Sequence, residues 1–164
     1  MRFQGILYRA LNPMRAREPL SGEGARLYGG RFNPRGTPAL YTSMSVLTAI
    51  REANQAGSLQ PTTLISLEAE LDPIFDAEDP AELAAKGIDH ALLAQGDWRL
   101  QMRRSGTSAG QDFVLRLIAE GYHGMRVRSF AKGAGSADLN MVLWKWGTRP
   151  PVRVSLIDDD GRLA

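Results

Sequence analysis

The sequence predicts an α+β fold, and three observations carry that prediction. The segment TTLISLEAELD alternates apolar and polar residues with the period of a half-buried strand. DPAELAAKG and SAGQDFVLRLIAEG each open on a helix-capping pattern and close on glycine. The C-terminal stretch then reads as a succession of strands: HGMRVRSF, LNMVLWKWG and VRVSLID.

In chain order, FQGILYRA (Phe3 to Ala10) reads as the first strand, and Pro13 to Gly30, with turn residues throughout, as irregular. In SVLTAIREANQAG, residues Val46, Ala49, Ile50 and Ala53 follow the i, i+3, i+4, i+7 spacing of an amphipathic helix. Ser45 is its expected N-cap and Gly57 its expected stop. The alternating strand places Ile65, Leu67, Ala69 and Leu71 on one face and Ser66, Glu68 and Glu70 on the other. Asp79 caps the next helix, with Pro80 at its first position, Glu82 three residues after the cap and Gly87 at its end. Ser108 and Gln111 repeat the pattern ahead of Phe113, Val114, Leu117 and Ile118, with Gly121 terminating. Asp160-Gly161 marks a turn after the last strand.

A chain of 164 residues suffices for one domain around one sizeable core and predicts a single unit over residues 1–164. Its 43% hydrophobic and 23% charged residues are those of a soluble globular protein. No window approaches the roughly 20 consecutive apolar residues of a membrane span, and MRFQGILYRALNPMRAR lacks the apolar core of a secretory signal. The absence of cysteine excludes disulfides, cysteine catalysis and thiolate metal sites, and suits the reducing cytoplasm expected as its location. A formal charge of only +2 argues weakly for nucleic acid. Arginine greatly outnumbers lysine, and its planar fork serves a small phosphorylated ligand equally well.

Several chemistries drop out. His90 and His123 lie far apart without a local array of further ligands, so no metal is expected. Neither a G-x-S-x-G nor a Walker sequence is present, and GAGSADLN lacks the lysine of a phosphate-cradling loop, which leaves a mobile hairpin loop as its reading. Trp98, Trp144 and Trp146 read as packing residues. What remains is a polar, glycine-rich stretch, GGRFNPRGTPALYTSMSVLTAIREA (Gly29 to Ala53), together with Arg9, Ser129 and Asn140. Such a loop costs ordering entropy and usually marks a site. Helix geometry alone displaces Glu52 from the apolar face and reads it as a solvated glutamate, pairing with Arg51 or a neighbouring turn.

That stretch resembles the signature of the RES-domain toxins, a family named for an arginine, a glutamate and a serine. Arg31, Asn33, Gly36, Tyr41 and Glu52 match its order and spacing, and Phe32 stands where tryptophan is commoner. GYHGMRVRSFAKGAGSADLNMVLWKW is similar to the family segment in which a strand ends in serine, a glycine-rich loop follows and an asparagine begins the next strand. Ser129 and Asn140 take those places, and LYRALNP supplies Arg9; VRSFA lacks the proline often found before the serine. The resemblance spans Tyr8 to about Trp146.

The resemblance implies an ADP-ribosyltransferase-like architecture, with small twisted sheets around a central NAD cleft and short flanking helices. It implies a toxin, paired with an Xre-like antitoxin, that breaks the nicotinamide glycosidic bond of NAD and passes ADP-ribose to water, phosphate or a protein target. Glu52, Arg31 and Ser129 are then the catalytic candidates, and Arg9, Arg31, Tyr41 and Asn140 the NAD-binding ones. The residue types suit that chemistry: a carboxylate stabilises an oxocarbenium-like ribose, and guanidiniums neutralise a pyrophosphate. The competing expectation is a non-enzymatic module in which the arginine loop binds RNA or another phosphate ligand. Few aromatics interleave the basic residues to serve as stacking platforms, so no direct nucleic-acid binding is expected.

Overall fold

The computed structural model describes residues 1–54 and 58–163. Strand β1 (Phe3–Leu11) leads through a 3-10 turn at Pro13–Arg15 and helix α1 (Glu23–Tyr28) to β2 (Leu40–Ser43) and helix α2 (Val46–Ala53). Strands β3 (Thr63–Leu71) and β4 (Ile74–Asp76) precede four helices: α3 (Pro80–Ala85), α4 (His90–Ala94), α5 (Trp98–Ser105) and α6 (Ala109–Ala119). Strands β5 (Gly124–Arg128), β6 (Leu139–Leu143) and β7 (Val152–Leu156) complete the α+β fold.

The strands form one hydrogen-bonded sheet in the order β4-β5-β6-β2-β1-β3-β7, antiparallel except for β4 with β5. Its two halves are joined by very little. β1 pairs with β3 along its whole length, from Phe3↔Leu71 to Leu11↔Thr63, but with β2 only at Tyr8↔Ser43. Continuing that register would set Arg9 against Thr42 and Ala10 against Tyr41; these four residues line a cleft instead. The cleft of the expected architecture therefore arises at a seam within one sheet.

Two apolar cores flank the sheet, and β6 shows why. Val142 belongs to the core that includes Phe75, Phe113, Leu117 and Trp144, whereas its neighbours Met141 and Leu143 belong to the core that includes Leu7, Leu40, Leu67 and Leu71. Adjacent strand residues point to opposite faces, so β6 feeds both cores, as β4 does through Ile74 and Phe75.

Several expectations hold in detail. Ile65, Leu67, Ala69 and Leu71 are buried on β3 while Glu68 is exposed. Ser45, Asp79 and Ser108 cap α2, α3 and α6 through their side chains, and Ser108 with Gln111 forms a complete capping box. Gly57, the expected stop of α2, lies outside the described residues.

Other elements depart from the sequence reading. The segment read as irregular contains α1, a six-residue helix capped by Gly22 without a side-chain bond and braced by the Arg26–Glu23 ion pair. Helix α5 is almost wholly polar outside the buried Trp98 and Met102, so it offers no continuous apolar stripe to read. Helix α2 is rotated relative to its apolar pattern: Val46 and Leu47 are exposed, while Thr48 and Ala49 are buried. That rotation turns Glu52, one helical turn beyond Thr48, toward the seam. GAGSADLN, by contrast, is the hairpin connection that the sequence reading expects, joining antiparallel β5 and β6, and within it the Gly135 amide donates to Asp138 Oδ2 at 2.8 Å and the Asp138 amide to the Gly135 carbonyl at 3.1 Å.

Candidate active site

The cleft at the seam holds about 430 Å3, within the range of small-molecule sites. It is built from both halves of the sheet, α2, the Gly29–Phe32 loop, the start of α5 and the segment after β5. Of the residues singled out in the sequence, Arg9, Arg31, Tyr41, Glu52 and Asn140 line it directly. Ser129 is buried just behind, bonded to Glu52.

Glu52 is not a solvated helix residue. Its Oε1 accepts a hydrogen bond from Asn140 Nδ2 at 2.6 Å and another from the Ser129 hydroxyl. Asn140 is itself oriented, since Ser43 Oγ donates to its Oδ1 at 2.9 Å across the β2–β6 ladder. Three elements thus converge on one carboxylate oxygen: α2 carries it, β6 supplies the amide, and the end of β5 supplies the hydroxyl.

Asp138 holds that convergence together. Its Oδ1 accepts from Thr48 Oγ1 at 2.7 Å and from Arg51 Nη1 at 2.5 Å, its Oδ2 from the Gly135 amide, and its carbonyl from the Ser129 amide at 2.8 Å. The backbone amide, the Thr48 hydroxyl and Arg51 all favour the ionised form and hold its carboxyl below the ordinary range. Arg51 is committed to Asp138 rather than to Glu52 beside it in the sequence.

The arginine loop is held from within. Asn33 is fully buried, and its amide donates to the carbonyls of Ala25 at 2.8 Å and Thr37 at 2.9 Å. Its Oδ1 accepts from the Tyr41 hydroxyl at 2.6 Å, and that hydroxyl accepts from the Phe32 amide at 3.0 Å. Burial drives the Tyr41 phenol well above its ordinary value, so it stays neutral. A Cβ on Gly30 would lie 2.5 Å from the Tyr41 oxygen, so only glycine fits there. From α6, Gln111 Nε2 donates to the carbonyls of Gly30 at 2.8 Å and Asn33 at 3.2 Å.

This scaffold fixes Arg31. Its Nη1 donates to the Gln95 carbonyl at 2.9 Å, and its guanidinium carbon sits 4.8 Å from the Phe130 ring centroid. Burial lowers its pKa first, the nearby Arg99 charge lowers it further, and Glu52 and Tyr41 oppose the shift. Arg9 donates from Nη1 to the carbonyls of Pro19 at 2.7 Å and Ser21 at 3.4 Å, and burial lowers its pKa to about 10. Both remain cations at neutral pH.

The sequence reading missed Ser43, Trp98, Arg99 and Asp138. Trp98 and Arg99 line the cleft, whereas Trp144 and Trp146 pack and donate to the Phe32 and Leu20 carbonyls. The one available signal for Asp138 was its place two residues before Asn140, at the end of the glycine-rich turn.

Fold and site together define an α+β domain that presents an oriented carboxylate and several guanidiniums to a cleft in its sheet. Residues 6–164 match the family profile described as RES domain, and the chain belongs to that family. Among solved structures it is similar to a chain in the crystal structure of the M. tuberculosis MbcT–MbcA toxin–antitoxin complex. The TM-score is 0.68 at 23% identity, covering 96% of this chain and 84% of that one, a likeness of fold. No curated protein sequence matches the chain. Among the described residues, no helix is long and apolar enough to cross a membrane.

Proposed function

We propose that residues 1–164 form one RES unit that cleaves the nicotinamide glycosidic bond of NAD and acts in the cytoplasm as the toxin of a toxin–antitoxin pair. The observation that supports this reading best is Glu52, held through Oε1 by Ser129 and Asn140 in a cleft also lined by Arg31 and Arg9. Family membership and the toxin–antitoxin complex that contains the similar structure point the same way.

Bond cleavage passes through an oxocarbenium-like ribose, and nicotinamide departs as a neutral group, so no general acid is needed. A preoriented carboxylate stabilises the developing positive charge without reorganising. In this reading Ser129 is a positioning residue: its hydroxyl donates to Glu52, and no histidine is among the described residues lining the cleft to activate it as a nucleophile. Asn140 orients the same carboxylate, Tyr41 keeps the loop in place, and the guanidiniums face the diphosphate. The partner is an Xre-like antitoxin whose carboxylates compete for the same cations and block the cleft.

The acceptor is water, phosphate or a protein side chain, all attacking the same carbon after nicotinamide leaves. The test is to incubate the purified protein with NAD and separate the products. Free nicotinamide is the expected result. ADP-ribose, an ADP-ribose phosphate ester or a labelled polypeptide identifies the acceptor. No nicotinamide under any of these conditions, together with salt-sensitive RNA binding, contradicts the reading in favour of a binding module.

A further inference from the structure

We propose that Arg99 acts with Arg31 as a two-arginine clamp for a diphosphate. The identity of the ligand as NAD rests on the reading above, but the anion site does not.

Among the described residues, four arginines line the cleft: Arg9, Arg31, Arg99 and Arg128. Two of them are largely engaged by the protein itself. Arg128 forks onto Glu78 through Nε at 3.3 Å and Nη2 at 3.0 Å. Arg9 is directed at the Pro19 and Ser21 carbonyls, and these contacts tie the segment after β1 to the strand. Arg99 has no ion-pair partner among the described residues. Arg31 resembles Arg9 in having none and in donating from Nη1 to two carbonyls, those of Gln95 at 2.9 Å and Leu93 at 3.3 Å, but Arg31 is the one on which the Arg99 charge acts, with Glu52 attracting it through space.

Arg99 is exposed, yet it is not placed at random. Its guanidinium carbon lies 4.4 Å from the ring centroid of Trp98, which is itself buried and part of the cleft wall. The indole face gives the guanidinium a flat support while leaving its donor edge available. Arg31 is fixed differently, by the Gln95 carbonyl and the Phe130 ring. The two cations therefore come from separate elements, each braced by an aromatic ring. They are near enough for the Arg99 charge to act on Arg31, the largest influence after burial.

Like charges held this way repel each other until an anion bridges them. Two guanidinium forks on separate supports suit two linked phosphate groups, one for each fork, with several oxygen acceptors available to both. Arg103, one helical turn beyond Arg99, is not among the cleft-lining residues, so it reports the general basic field of α5 and not the clamp.

The test titrates the full chain with inorganic pyrophosphate by calorimetry at roughly 0.15 M salt, where distant surface charges are screened over about 8 Å. It compares the parent with Arg99→Ala, Arg99→Lys and Arg103→Ala, and then measures NAD turnover for the same proteins. Arg99→Ala is expected to weaken pyrophosphate at least about tenfold, consistent with loss of a charge-assisted contact. Its KM for NAD should rise by a similar factor with kcat nearly unchanged. Arg99→Lys, which keeps the charge and loses the planar fork, should fall between the parent and Arg99→Ala, and Arg103→Ala should match the parent. Pyrophosphate binding that is absent in the parent, unaffected by Arg99→Ala, or weakened equally by Arg103→Ala overturns the clamp. If binding depends on Arg99 but the parent releases no nicotinamide from NAD, the clamp stands and the NAD reading falls. If NAD is cleaved with unchanged KM in Arg99→Ala, the NAD reading stands and the clamp falls.

Discussion

Strand β1 has two edges, and they do different work. Toward β3 it is paired from end to end, with Leu7 opposite Leu67 and both fully buried. Toward β2 it is joined at Tyr8↔Ser43 alone, and the residues next in register, Arg9, Ala10, Tyr41 and Thr42, line the cleft. A continuous ladder holds its strands by repeated backbone pairing; the walls of an opened seam need other ties. Arg9 and Asn33 supply some, donating to carbonyls of the segment that connects β1 to β2: those of Pro19, Ser21, Ala25 and Thr37. The paired edge is where the sheet gets its stability, and the open edge is where it gains a site.

The comparison breaks first if the paired edge also governs the chemistry. Leu67→Ala removes a fully buried side chain from β3 and is expected to cost about 2–5 kcal/mol of stability. Turnover per folded molecule should nevertheless stay at the parental value. A selective loss of turnover, measured below the melting transition, would place the site's support in the wrong edge.

On the open edge, Asn33→Ala leaves the Ala25 and Thr37 carbonyls and the Tyr41 hydroxyl without their partner. The expected cost is about 2–3 kcal/mol, read as a Tm lower by roughly 4–12 °C for a chain of this size. Unlike Leu67→Ala, it should also raise KM for NAD, because the Gly30–Asn33 turn positions Arg31. An unchanged KM in the folded variant would separate the turn from the site.

Asp138→Asn sharpens the comparison with a smaller effect on stability and a selective one on chemistry. The charge that holds Arg51 is lost, and with it part of the tie between α2 and the segments bearing Ser129 and Asn140. Turnover is expected to fall about tenfold with NAD affinity retained. Because the carboxyl of Asp138 is lowered in the folded state, its contribution is fully present above the unfolded value near pH 4 and is lost as pH falls through the folded value. The Tm gap between parent and variant should therefore be constant from neutral pH down to about pH 4 and close at lower pH. A gap that instead closes above pH 5 would mean that another group controls it.

The same contrast explains what was legible in the sequence. β3 announces itself because alternation is a local property, and α6 because Ser108 and Gln111 stand within one turn of the helix they cap. The resemblance selected Arg9, Arg31, Tyr41, Glu52 and Asn140, all of which line the cleft, and Ser129, which bonds to Glu52. The surroundings of Glu52 were not legible from periodicity, which assigned α2 the face of Val46 and Ile50. The helix turns Thr48 inward because Asp138, ninety residues away in sequence, accepts its hydroxyl. Helices α1 and α5 were missed because neither carries a side-chain N-cap bond or a long apolar stripe. Arg99 escaped notice for a related reason: an arginine on a polar helix differs from a surface arginine only through Trp98 beneath it and Arg31 beside it.

The central claim is that the carboxylate at the seam acts on the transition state. It is tested most directly by Glu52→Gln, which keeps the shape and an acceptor oxygen but removes the negative charge. Nicotinamide release from NAD is measured alongside NAD affinity and Tm for parent and variant. Turnover is expected to fall at least about a hundredfold, with affinity little changed and growth inhibition abolished in parallel. A variant that folds and melts as the parent does, yet releases nicotinamide at the parental rate, contradicts it.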